Sequence, residues 1–140
     1  MQRSLGVTLL SAFFMFAFLM ASLAFVGLLL PGGPLEPLWR LNPTAHAGLS
    51  SMGGWGVGLM LVTAVACGIA AFGLWSRARW GRQVAIILIA VNLVSDLLNA
   101  LVRGDWRTLI GLPIGGAVIW YLSRPRTRAE FEAREASSPP

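Results

Sequence analysis

The chain has 140 residues, of which 56% are hydrophobic and only 12% charged, and its formal net charge is +5. A soluble domain carries about 25% charged residues, and a short chain exposes much of its surface, so this chain has too few polar groups for water. A bilayer removes the conflict because residues that face lipid are apolar. The composition excludes an ordinary soluble domain and predicts an all-α integral membrane bundle.

The basic residues of the chain are 11 arginines, and they lie at the ends of apolar runs. Arginines at such positions orient a membrane protein, with the richer side in the cytoplasm. A basic balance can also indicate nucleic-acid binding, but this placement favours orientation. We therefore expect the lipid bilayer as the surroundings of the chain and no nucleic acid as a partner.

The first apolar run covers residues 5–30 and contains no charge. A signal peptide has an apolar region of about 7–15 residues, so the longer run predicts a retained membrane span. Cleavage near the small residues Ala21, Ser22 and Ala24 stays open as the alternative.

A longer loop follows the run and contains the only histidine, His46. Neither this histidine nor the only cysteine, Cys67, can complete a zinc site, which needs about four ligands. We expect no metal and no cofactor.

The second apolar run covers residues 53–75 and is bracketed by Trp55 and Trp75. Their separation corresponds to ~30 Å of helix, the thickness of the hydrocarbon core, and Trp prefers the two interfaces. Small residues in pairs four apart allow helices to approach closely. The predicted packing residues, including a pair from the fourth run, are Gly54, Gly58, Ala64, Gly68, Gly111 and Gly115.

Two further runs, residues 83–102 and 107–122, complete a predicted four-helix transmembrane domain over residues 1–123. Residues 124–140 are predicted to form a charged, partly disordered cytoplasmic tail. With four spans, eight arginines (3, 77, 79, 82, 124, 126, 128, 134) fall on one side and three (40, 103, 107) on the other, which predicts two cytoplasmic termini. The predicted interface anchors are Trp39, Trp55, Trp75, Trp80, Trp106, Trp120 and Tyr121.

A polar stripe interrupts the third run. Asn92, Asp96, Asn99 and Arg103 recur at helical spacing along one face, with Ser95 beside them. Insertion of an Asp into the membrane interior costs about 2.5–3.5 kcal/mol on insertion scales. An Asp at such a position therefore suggests a functional site. Three interpretations stay open: polar contacts that join the third helix to its neighbours, a path for a ligand, ion or proton, and a contact with a partner subunit.

Motifs in the C-terminal half of the chain carry a resemblance to a known class of protein. They are Arg79-Trp80-Gly81, then Asn92, Asp96 and Asn99, then Gly111 to Gly115, and finally Tyr121 to Arg126. This arrangement resembles small uncharacterised bacterial four-helix integral membrane proteins. The resemblance implies a location in the bacterial cytoplasmic (inner) membrane and implies no particular activity.

The sequence contains no phosphate-binding loop, dinucleotide fingerprint or nucleophile elbow, and we assign no catalytic residue. Our first hypothesis is a non-enzymatic accessory or scaffold subunit with a protein partner or a homo-oligomeric assembly in the membrane. The alternative is a small oligomeric transporter or channel-like protein that uses the polar stripe. A lipid-modifying enzyme is the third hypothesis. Such an enzyme requires two or more titratable groups close to a nucleophile.

Overall fold

The computed structural model describes residues 4–104 and 109–136. Within these ranges the chain forms seven α-helices and no β-strand. The helices are α1 (Leu5–Leu29), α2 (Glu36–Trp39), α3 (Pro43–Ser51), α4 (Gly54–Trp75), α5 (Arg79–Arg103), α6 (Gly111–Ser123) and α7 (Pro125–Ala136). The predicted all-α class is confirmed.

Three of the described helices, α1, α4 and α5, are long and apolar enough to cross a membrane. The shortest of them, α4, has 22 residues and therefore reaches ~33 Å, which exceeds the hydrocarbon core of about 30 Å. Their outward surfaces carry large apolar side chains such as Phe16, Val62 and Leu101. A bilayer accommodates such surfaces, and the structure therefore fits a membrane-embedded helical protein.

Helix α6 is shorter than the fourth run that the sequence predicts. It has 13 residues, so it extends ~20 Å, about two thirds of the hydrocarbon core. Residues 105–108, including Trp106, lie outside the described part of the chain. Arg82 near the start of α5 donates Nη1 to the carbonyl oxygen of Leu122 near the end of α6, at 3.1 Å. Helix α6 therefore runs antiparallel to α5 and returns to the end where α5 begins.

Helix α4 lies at the centre of the bundle because small residues let α1 and α5 approach it. The Oγ of Ser11 in α1 donates to the carbonyl oxygen of Ala71 at 3.1 Å. On the other side, a side chain at Gly73 or Gly81 would collide with the backbone of the opposite glycine. The α4–α5 hairpin is therefore tightly closed near its turn.

The segment that the sequence predicts as a charged tail contains helix α7. Phe131 is only 1% exposed and Thr127 is buried, so one face of α7 packs against the bundle. The Oγ of Ser4 donates to Oε2 of Glu130 at 2.9 Å, which connects α7 to the chain just before α1. The start of α1 and the end of α6 therefore meet α7 at one end of the bundle. We call it the arginine end because Arg82 and Arg124 lie there. Residues 137–140 lie outside the described part of the chain.

Short helices α2 and α3 occupy the loop at the opposite end. The ring of Trp39 stacks on His46, with centroids 4.6 Å apart, and also lies against Gly27 near the end of α1. Asn42 caps α3 by accepting a hydrogen bond from the amide of Ala45 at 3.1 Å. His46 is thus engaged in ring stacking within this loop.

Candidate functional site

One face of α5 follows a repeat that alternates steps of four and three residues. An average spacing of 3.5 residues is typical of a helix face that packs along a second, nearly parallel helix. We call this face the α5 seam. It consists of Gly81, Ala85, Leu88, Asn92, Ser95, Asn99 and Val102.

The α5 seam is covered over its first half and uncovered over its second half. Gly81 lies against the backbone of Gly73 in α4, and Ala85 is fully buried in the core. Asn92, by contrast, is exposed, as are Ser95 and Asn99, and Val102 is 80% exposed. The chain therefore covers the apolar half of the seam with its own α4 and leaves the amide-bearing half open.

A second row of α5 residues, Arg82, Ile89 and Asp96, recurs every seven residues and faces α6. Arg82 holds the carbonyl of Leu122, as described above. A Cβ built on Gly115 would lie 2.6 Å from Cδ2 of the neighbouring Leu93 and 3.2 Å from Cγ2 of Ile89, and one built on Gly111 would lie 2.7 Å from Oδ2 of Asp96. This row therefore sets the register between α5 and α6.

The polar stripe predicted from the sequence is thus divided between two environments. Asp96 is half-buried beside Gly111, the first residue of α6. The Nδ2 of Asn92 donates to Oδ2 of Asp96 at 3.5 Å, a long contact. Asn99 and Ser95 point to the open surface, and the side chain of Arg103 lies outside the described set. The carboxylate therefore has a packing role against α6, whereas the amides are displayed.

The predicted packing residues also divide by position. Ala64 is buried, and a Cβ on Gly68 would lie 3.1 Å from the ring of Phe18 in α1. Gly111 and Gly115 lie against α5, as described above. Among the described residues, a Cβ on Gly54 or Gly58 would meet nothing within 4 Å, so this pair makes no close packing contact there.

The predicted aromatic anchors occupy both ends of the bundle. At the arginine end, the guanidinium of Arg124 lies 4.0 Å from the ring centroid of Trp120, a cation–π contact, and Trp80 stacks on Phe72 with centroids 6.5 Å apart. The Tyr121 hydroxyl donates to Oγ of Ser4 at 3.4 Å, so it contributes to packing there. Trp75 is exposed at the same end, and Trp55 is 84% exposed near the start of α4.

Charges at the arginine end are arranged around α7. The Nε of Arg128 donates to Oε1 of Glu132 at 2.8 Å, and this hydrogen bond lowers the pKa of Glu132 below its ordinary value. The positive charges of Arg79 and Arg82 act in the same direction. Within the described residues, no group of three or more His, Cys, Asp and Glu side chains is placed to hold a metal ion.

Comparison with protein families assigns the chain to one of them. A family model described as a domain of unknown function (DUF7144) matches residues 37–127. The chain belongs to the DUF7144 family. The match begins in α2 and ends in α7, so it contains the whole of α4, α5 and α6, including the α5 seam. Comparisons with curated proteins and with solved structures find no match.

Proposed function

We propose that this DUF7144 protein is a non-enzymatic accessory or scaffold subunit that binds another protein laterally, within the membrane, through the open half of the α5 seam. The observation that carries the proposal is the exposure of Asn92 and Asn99 on a membrane-length helix. Asn92 is near the midpoint of the 25-residue α5, and Asn99 lies ~10 Å further along the axis. Both amides therefore stand at membrane depth.

The hydrocarbon of a bilayer cannot form hydrogen bonds with these amide side chains. Each amide has two N–H donors and an acceptor. One N–H of Asn92 donates to Asp96 at 3.5 Å, and hydrocarbon offers no hydrogen bond to the remaining groups. A polar group buried without a hydrogen bond costs about 1–3 kcal/mol on protein mutational scales. A protein surface with polar groups at the same depth would remove this cost, and hydrogen bonds between membrane helices contribute to their association.

The topology we propose has four spans and both termini in the cytoplasm of a bacterium, in its inner membrane. Support comes from α6, which returns to the arginine end, and from the contact between Ser4 and Glu130 at that end. The surplus of arginines there favours the cytoplasmic side. A fusion of alkaline phosphatase to the C-terminus is expected to be inactive, because that enzyme needs the outer side. An active fusion would contradict the topology.

A small oligomeric transporter or channel is the second candidate. The long contact between Asn92 and Asp96 supports it, because a displayed amide and a carboxylate could together line a polar path between copies. In proteoliposomes loaded with a pH-sensitive dye, this candidate predicts a proton flux that Asp96→Asn abolishes. Equal flux in wild type and variant, or no flux in either, would exclude proton transport.

The accessory proposal is tested by the size of the assembly in native lipid. We would extract the full chain from its membrane in lipid nanodiscs and measure the protein mass per particle. The wild type is expected to exceed one chain, whereas Asn92→Leu/Asn99→Leu is expected to yield single chains. Thr63→Val is the control, because the Thr63 hydroxyl bonds only to the Leu59 carbonyl of its own helix in the described contacts. Single chains in every sample would overturn the proposal.

A further inference from the structure

We propose that the partner at the open half of the α5 seam is a second copy of this chain, paired with it seam to seam about a two-fold axis along the membrane normal. This inference rests on the proposed function and names the partner that it requires. The proposal is based on the chemistry of the exposed polar side chains of the seam. They are two amides and a hydroxyl, all uncharged: Asn92, Asn99 and Ser95.

The displayed groups are complementary to themselves. An amide side chain both donates and accepts hydrogen bonds, so two identical amides facing each other can satisfy one another. All copies enter the membrane in one orientation, so a two-fold axis along the normal makes the two α5 helices parallel and brings each residue to its own counterpart. Asn92 would meet Asn92 and Asn99 would meet Asn99.

The charged residue of the stripe does not oppose this pairing. Asp96 belongs to the row that faces α6, where its carboxylate lies beside Gly111. Two copies that join through the seam therefore do not place two carboxylates directly opposite each other. The three groups of the seam that are described as exposed polar residues, Asn92, Ser95 and Asn99, are neutral.

The spacing of the seam also suits packing against a second helix. In the heptad notation, Ala85, Asn92 and Asn99 hold the a positions and Ser95 and Val102 hold d positions. In parallel paired helices an Asn at an a position fixes the register, and a small Ser allows helices to approach closely. The same repeat is buried against α4 near the turn. A second α5 in phase with the open half would cover the part of this face that α4, which runs antiparallel to α5, leaves exposed.

Large apolar side chains flank the open half on its lipid side. Val91 and Leu98 precede the two asparagines, at g positions, and both are exposed. A parallel α5 would cover them together with the amides, as flanking residues are covered in paired helices. The contact would extend from Asn92 to Val102, ~15 Å of helix, and would leave the arginine end of each copy separate.

The test uses a thiol at the outer end of the seam and a matched thiol on another face. In a Cys67→Ala background, which removes the single cysteine, Val102→Cys is compared with Leu101→Cys. Both positions are exposed, at 80% and 67%, and they differ by one residue in depth, but Leu101 lies outside the seam. Oxidation in native membranes is expected to join Val102→Cys chains into a species of twice the chain mass and to leave Leu101→Cys chains single.

The other outcomes separate this inference from the proposed function. A Val102→Cys adduct with a different protein would overturn the homodimer and keep the accessory role. Equal cross-linking of both thiols would indicate random collision and would overturn the homodimer. If neither thiol joins any protein and wild-type nanodisc particles hold single chains, both proposals fail.

A second measurement tests the amides themselves. Fluorescence energy transfer between labelled full chains in liposomes of the same lipid reports association at increasing dilution. We expect Asn92→Leu to weaken association about tenfold, the effect of one lost interhelical hydrogen-bonded pair at the strong end of measured values. Thr63→Val, which alters a membrane-depth polar group outside the seam, is expected to match wild type. Unchanged association of Asn92→Leu/Asn99→Leu would overturn the pairing.

Discussion

The two halves of α5 share one heptad repeat and differ in what covers it. Near the turn, Gly81 and Ala85 are so small that α4 packs directly against the α5 backbone. Beyond Leu88 the same repeat carries Asn92 and Asn99, and these are exposed. Residue size and polarity thus divide one continuous helix face into an intramolecular contact and an exposed polar surface.

The closed half also receives support that the open half lacks. Helix α7 covers the arginine end with Phe131, and Arg82 there holds the last turn of α6. At the open half, α6 begins only at the level of Asp96. Substitutions at the closed end should therefore affect folding, whereas substitutions at the open half should affect association.

The largest expected effect is that of Gly81→Leu. The new side chain would meet the backbone of Gly73, which cannot move aside without opening the α4–α5 hairpin. We expect a loss of about 3 kcal/mol or more, a large fraction of the about 5–15 kcal/mol by which folded proteins are stable. Gly58→Leu is the control, since nothing lies within 4 Å of its Cβ position. Thermal unfolding in detergent measures both, and equal stability would show that the hairpin is not tightly closed.

A smaller effect is expected for Phe131→Ala. The truncation leaves a cavity beneath α7, and undocking of this terminal helix limits the loss to less than the about 3–5 kcal/mol that is typical for buried Phe in cores. Because α7 is terminal, we expect the loss to appear mainly as undocking of this helix, with the three long helices retained. Hydrogen exchange of the α7 amides should rise in Phe131→Ala and stay at the wild-type level in Ala129→Ser, an exposed position on the same helix. Unchanged protection would show that Phe131 does not hold α7.

Asp96 lies at the level of the open half, in the row that faces α6, and its variants distinguish the effect of its charge from that of its hydrogen bonds. Asp96→Asn keeps a polar group beside α6 and removes a charge, so stability in detergent is expected to change by less than about 1 kcal/mol. Asp96→Leu leaves its hydrogen-bond partners unpaired and is expected to cost about 1–3 kcal/mol. A larger loss for Asp96→Asn than for Asp96→Leu would show that the charge itself stabilises the bundle.

The smallest effect concerns pH at the arginine end. The pKa of Glu132 is lowered in the folded protein, so its contribution to stability is present above the ordinary value of 4.5 and is lost as the pH falls through the lowered pKa. The pair with Arg128 is exposed, so salt should weaken it. A carbon-detected NMR titration should give a Glu132 pKa below 4.5, and Arg128→Gln should bring it back toward the ordinary value. Identical titrations in the two proteins would exclude the pairing.

Patterns along the chain were enough to predict the membrane helices and the position of the stripe. Uncharged runs at 5–30 and 53–75 predicted α1 and α4, because the length of a span follows directly from the thickness of the bilayer. The third run likewise matches α5, apart from an earlier start at Arg79. These properties are local, and composition with spacing determines them.

Only the tertiary structure decided which neighbour each residue meets. Asn92 and Asp96 share a face in any helix, yet one is displayed and the other lies against α6, because α6 approaches α5 from one side only. The burial of Phe131 depends on a surface that residues distant in the chain form together. The charges of the segment that contains α7 led us to predict a partly disordered tail and not a packed helix. Helical periodicity defines the face on which a residue lies, whereas the docking of the other helices determines whether that face is covered.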